Sequence, residues 1–121
     1  MINEINIVLE AFEGRKTCVH ISYKVNGVGY TFTGIDEDDI LKPEIDLASW
    51  LRSFLISGVV HILDLENEHP VESIQVKFCL FIRDKVTLEA ISTKIGIAEV
   101  RLVEGGALCK IFYDMIPTIL N

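Results

Sequence analysis

The sequence predicts an α+β protein with a mainly antiparallel sheet, in the order βββ-α-ββ-α-ββ, and two helices packed on one face. Three observations lead there. Several runs alternate apolar and polar residues with the period of a half-buried strand. Asn26-Gly27 and Gly105-Gly106 separate pairs of such runs, as hairpin turns do. Leu47, Trp50, Leu51, Phe54 and Leu55 recur at the spacing of one helix face. A chain of 121 residues is one domain, 1–121, which buries roughly two-thirds of its unfolded surface.

Taken in order, Ile5, Ile7, Leu9 and Ala11 alternate with Asn6, Val8, Glu10 and Phe12 and predict the first strand. Val19, Ile21, Tyr23 and Val25 predict the second, and Val28, Tyr30 and Phe32 the third. Between these two, Asn26-Gly27 suits a type I′ turn, because both central positions need positive φ. Such a two-residue loop places Val25 opposite Val28, Tyr23 opposite Tyr30 and Ile21 opposite Phe32. Ser22 then meets Thr31, and His20 meets Thr33, on the other face.

Pro43 suits the first turn of the following helix, and Gly58 reads as its C-terminal stop. Val59 to Leu65 is a short apolar run predicted as a strand. Ile74, Val76, Phe78, Leu80 and Ile82 form a clearer one. Thr87 can cap a second helix carrying Leu88, Ile91 and Ile95 and closed by Gly96. The final hairpin joins Ala98–Val103 to Ala107–Tyr113 through Gly105-Gly106, with Leu102 opposite Cys109 and Val100 opposite Ile111. One set of apolar residues has no place beneath these helices: Val8, Phe12, Cys79, Phe81, Val103, Leu108 and Phe112, with the apolar tail from Met115 to Leu120. Either the sheet curls over them, or another chain, including a second copy in a homodimer, covers them.

Half of the residues are hydrophobic, yet the formal charge is −7, with mean hydropathy +0.37. That hydropathy excludes an acidic disordered tail. The charge is uneven: residues 1–72 hold 13 acids and 5 bases, and residues 73–121 hold 5 acids and 6 bases. One acidic cluster is Asp36-Glu37-Asp38-Asp39 with Glu44 and Asp46; the other is Asp64, Glu66, Glu68 and Glu72. Such a field repels phosphate backbones and anionic membranes, while it steers basic proteins inward. No 18-residue apolar stretch is present, and Met1-Ile2-Asn3-Glu4 lacks the features of a secretory signal. Cys18, Cys79 and Cys109 are odd in number and unpaired in spacing, so reduced thiols and a cytoplasmic location are expected.

Motifs for chemistry are sparse. His61, Asp64, Glu68 and His69 are the one candidate metal cluster, but on a strand His61 and Asp64 point to opposite faces. Cys18 and His20 share a strand side without an orienting third residue or an oxyanion hole. The Asp36–Asp39 run has Ile40 fifth and no glycine sixth, so it is not an EF-hand. No metal or cofactor is expected. The sequence therefore predicts a non-catalytic protein-binding module, whose contact residues are Asp36, Glu37, Asp38, Asp39, Glu44 and Asp46. In size, acidity and class it resembles bacterial toxin-immunity proteins and phage-encoded inhibitors, although no motif carries that likeness. The acidic first segment calls for a basic partner, and a toxin nuclease would be one, because its substrate cleft must be positive. The alternative is a small enzyme or ligand-binding domain using His20, His61 or Cys18 in a pocket between sheet and helix, completed by homodimerisation.

Overall fold

The computed structural model describes residues 2–12, 16–40, 46–69, 72–84 and 86–116, with backbone alone at 16, 35–40 and 113–116. The described residues form six strands and one helix: β1 (Ile2–Phe12), β2 (Lys16–Val25), β3 (Val28–Ile40), α1 (Leu47–Glu66), β4 (Ile74–Arg83), β5 (Ala90–Val103) and β6 (Gly106–Ile116). The sheet order is β3-β2-β1-β4-β5-β6. Two meanders run outward from a central seam at which β1 and β4 lie parallel; every other pairing is antiparallel.

This architecture corrects the predicted βββ-α-ββ-α-ββ order with its two helices and mainly antiparallel sheet: the order is βββ-α-βββ and the sheet is mixed. Both errors have a physical cause. The segment 59–65, predicted as a strand, continues α1, because Gly58, Val59, Ile62 and Leu63 extend the buried stripe of Trp50, Leu51, Phe54 and Leu55. Burial on one side at helical spacing outweighs the strand preference of Val59, Val60 and Ile62. Gly58 is not a stop. It lets the helix approach the sheet closely, since an added Cβ would lie 2.9 Å from Ile7 Cδ1. The helix ends at Asn67, whose φ of 53° is the left-handed C-cap conformation.

The second predicted helix does not form, because its residues belong to β5. Ile91, Thr93, Ile95 and Ile97 fit a helix only loosely and fit a strand well, and β-branched residues favour the pleated form. Thr87 instead sits in the β4–β5 turn, where Asp84 accepts hydrogen bonds from the Val86 and Thr87 amides at 2.8 and 2.9 Å.

The first hairpin has the predicted turn and register: Asn26 and Gly27 take φ of 50° and 84°, and Val25, Tyr23 and Ile21 oppose Val28, Tyr30 and Phe32. The last hairpin is displaced by one turn position. Gly105, at φ 84°, occupies the turn with Glu104, while Gly106 pairs with Val103 inside the ladder. Leu102 therefore opposes Ala107, and Val100 opposes Cys109. A two-residue displacement keeps each side chain on its expected face.

The core lies between α1 and one sheet face. Ile5, Ile7, Leu9, Ala11, Val76, Phe78, Leu80, Ala98 and Val100 from the central strands meet the buried stripe of α1. Trp50 lies against Phe54 at 4.7 Å between ring centroids, and its indole N–H finds no acceptor among the described residues. By length and hydropathy α1 could cross a bilayer, but its apolar stripe is seated on the sheet. The other sheet face has no described element over it. Leu108 and Phe112 are 58% and 61% exposed there, and residues 117–121 of the apolar tail lie outside the described residues.

Asp46 caps α1: Oδ1 accepts from the Ala48 amide at 3.2 Å and Oδ2 from the Ser49 hydroxyl at 2.7 Å. The Ser49 hydroxyl first, and then the Ala48 amide, hold its carboxyl below the usual range. A lowered folded pKa gives stability that is present above the unfolded pKa and is lost as pH falls through the folded value. Asp46→Ala is expected to lower the unfolding midpoint at pH 7 and to flatten its decline on acidification. Asp46→Asn keeps the cap and restores most of the midpoint, but it does not restore the acid dependence. Equal midpoints for Asp46→Ala and the parent at pH 7 would refute the capping role.

Candidate functional site

Two surfaces carry the polar chemistry of the fold: the outer edge at β3 and the uncovered sheet face. β3 pairs with β2 alone and forms one border of the sheet. Its ladder is regular from Val25↔Val28 to Thr17↔Asp36 and then jumps to Lys16↔Ile40. Glu37, Asp38 and Asp39 fall inside that jump and have no partner position on β2. Three consecutive acids thus occupy a bulge on an edge strand, a place where a ladder commonly breaks and the strand bends away.

The other residues of the acidic cluster divide. Asp36 is in register with Thr17, Asp46 is the helix cap just described, and Glu44 lies outside the described residues. The second acidic cluster is partly engaged in holding the fold. Tyr23 donates its hydroxyl to Glu66 at 2.9 Å, and the Glu68 carboxylate accepts the Ile2 amide at 3.2 Å. Burial, and then the Glu66 hydrogen bond, push the Tyr23 phenol up from its ordinary pKa.

The candidate metal cluster does not assemble. His61 and Asp64 lie on α1 rather than on a strand, so they share a helix side after all. The His61 ring, however, sits edge-on to Phe32 at 4.9 Å, and Glu68 lies past the helix end against the start of β1. No group of three His, Cys, Asp or Glu among the described residues is placed to hold a metal ion.

On the uncovered face, cross-strand register assembles a network that spacing alone does not reveal. His20 Nδ1 lies 3.2 Å from the Thr33 hydroxyl, and its Nε2 lies 3.4 Å from Glu10 Oε1. The other oxygen of Glu10 accepts from Arg83 Nε at 3.2 Å. Arg83 in turn donates from Nη1 to the Leu88 carbonyl and stacks over Phe81. The network runs from β3 across β2 and β1 to β4 and ends on the β4–β5 turn. Its last link bears on a strained residue, since Leu88 holds a φ of 64° without being glycine. Cys18 lies in register with Glu10, two residues from His20 on the same face.

The hydroxyl, imidazole and carboxylate of Thr33, His20 and Glu10 follow each other as in a nucleophile–base–orienter relay. Their surroundings differ from such a site. His20 stands in the middle of a regular ladder with β1 on one side and β3 on the other, a flat pleated setting rather than a turn onto a helix. Burial pushes the Cys79 and Cys109 thiols up, away from the thiolate that a nucleophile needs.

The two halves of the uncovered face differ. β1, β2 and β3 contribute the apolar Val8 and Phe12 and the polar Glu4, Asn6, Glu10, His20, Ser22, Lys24, Thr31 and Thr33, the polar ones largely paired among themselves. Lys24 lies 3.5 Å from Glu4, whose carboxyl is held low first by the Asn6 hydrogen bond and then by Lys24. β4, β5 and β6 contribute Cys79, Phe81, Ile95, Ile97, Leu108 and Phe112, with Lys77, Arg101 and Lys110 around them. Comparison with protein-family models, with curated proteins and with solved structures finds no match. What the fold and its surfaces define is a mixed-sheet α+β domain with one helix-covered face, one uncovered face and an acid-bearing edge.

Proposed function

We propose that the chain is a non-catalytic protein-binding module of the inhibitor or immunity type, which engages a basic partner through the acid-bearing β3 edge. The observation that carries this reading is the position of Glu37, Asp38 and Asp39 in the bulge of an outer strand, unmatched on β2. A free strand edge offers backbone groups to a partner, and adjacent carboxylates select a basic one. The negative field of residues 1–72 adds long-range steering, which raises encounter rates by roughly 10- to 1,000-fold at low ionic strength. A toxin nuclease fits that chemistry because its substrate cleft is cationic. Acids on an edge strand also discourage sheet-to-sheet aggregation, a role that requires no partner. The Thr33–His20–Glu10–Arg83 network is read as cross-strand support for the face.

The test is association with a panel of cationic nuclease domains at about 20 and about 200 mM salt, for the parent and for Asp38→Lys/Asp39→Lys. At least one domain is expected to bind with an on-rate that falls steeply with salt. The double reversal is expected to slow that rate at least about tenfold and to reduce its salt dependence. An unchanged rate at low salt, or no binding to any member of the panel, refutes the acidic edge as the interface.

A further inference from the structure

We infer that the uncovered face over β4, β5 and β6 is a second docking surface, suited to an acidic protein segment with one apolar side. The apolar part is built by register: Phe112 lies beside Ile97, and Ile95 lies beside Cys79, on neighbouring strands. Ile95, Ile97, Leu108 and Phe112 are 46%, 41%, 58% and 61% exposed, whereas the other sheet face is buried under α1. Contiguous exposed apolar side chains of this kind usually mark a contact surface.

Charge identifies the occupant. Although the chain carries −7 overall, this face presents five Lys or Arg, at 24, 77, 83, 101 and 110, against three Glu, at 4, 10 and 99, and Asp114, whose backbone is in register with Ile95. Lys24 and Arg83 are paired with Glu4 and Glu10. Arg101 and Lys110 flank the apolar strip, and no ion pair among the described residues involves either of them. Their own neighbour Glu99 accepts a hydrogen bond from the Ser73 hydroxyl. Lys110 stands opposite Glu99 in the ladder, so the surface is apolar with a small excess of positive charge from Lys77 and Arg101, on an otherwise acidic molecule. An acidic amphipathic segment satisfies both features, and it would be repelled by the β3 edge, so the two surfaces select different partners. An anionic bilayer would meet the same cations, but the acidic remainder of the molecule opposes approach to it.

The proposal does not depend on the basic-partner reading, and one experiment separates them. The probes are a soluble helical peptide with leucines along one side and glutamates elsewhere, its twin with lysine for glutamate, and phosphatidylserine vesicles. The glutamate peptide is expected to bind the parent. Arg101→Glu/Lys110→Glu should weaken that binding at least about tenfold, since two favourable charge contacts become repulsive. Phe112→Ser should also weaken it, while Asp38→Lys/Asp39→Lys should not. Positions 101, 110 and 112 are exposed, and an unchanged unfolding midpoint confirms that each variant is folded. Equal binding of the glutamate peptide to the parent and to Arg101→Glu/Lys110→Glu overturns the proposal. So does binding to the vesicles without binding to the peptide, or a stable homodimer in sedimentation that Phe112→Ser dissociates.

Discussion

Gly58→Leu is expected to remove about 3 kcal/mol of stability or more, whereas Gly58→Ala changes it by less than about 1 kcal/mol. Glycine inside a 20-residue helix normally costs about 1 kcal/mol relative to alanine, so on propensity alone both changes should stabilise. The contacts reverse that for the larger residue. A Cβ at position 58 would stand 2.9 Å from Ile7 Cδ1 and 3.2 Å from Ile21 Cδ1. Both atoms are the far ends of side chains, so a methyl group can be admitted by small rotations whose cost offsets the propensity gain. Three further carbons cannot, because Ile7 and Ile21 are themselves enclosed at 1% and 4% exposure. The helix must then lift from the sheet. Thermal unfolding of the two variants checks this, and a leucine variant within about 1 kcal/mol of the parent would mean that α1 is not seated on β1 and β2 through this residue.

Leu80→Ala is expected to cost about 2–5 kcal/mol, against a total of about 5–15 kcal/mol for a domain of this kind. Leu80 is wholly buried and lies in register with Leu9, also wholly buried, at the parallel seam beneath the helix. Truncation there leaves a cavity that two ladders and a helix cannot easily close. Leu108→Ala, on the uncovered face, is expected to change stability by less than about 0.5 kcal/mol. Urea unfolding of both variants provides the comparison. Similar losses would mean that the open face is as enclosed as the core.

Much of the fold was legible where one local signal determined it. Asn26-Gly27 and the flanking alternation predicted a turn and a register that the structure reproduces pair by pair. The burial of Ile5, Ile7, Leu9 and Ala11 followed from period two alone. Legibility failed where two signals competed. Gly58 looks like a helix stop until Ile7 and Ile21 are placed opposite it, and Asn67 was the better terminator by its tolerance of positive φ. Residues 87–96 carry both a loose helical spacing and a strong β-branched composition, and composition prevailed.

The parallel seam was invisible for a different reason. Nothing in either strand specifies that residues 71 positions apart, such as Asn6 and Lys77, must pair. The candidate site inherits that limit. Cys18 and His20 could be placed on one strand side from spacing, but Glu10 and Arg83 join His20 only through cross-strand pairings. Of the acidic cluster, Asp46 shows how a single composition admits two roles, since a carboxylate before a helix is a cap as readily as a contact.

The β1–β4 pairing also sets an order in time. As the chain leaves the ribosome, the first meander can zip by hairpin contacts alone, yet one border of β1 stays unclaimed until residues 77–83 emerge. Closing a loop of that length is entropically slow compared with closing the turn at Asn26-Gly27. Ile5, Ile7 and Leu9 therefore stand on a half-paired strand until residues 77–83 are available to complete the seam.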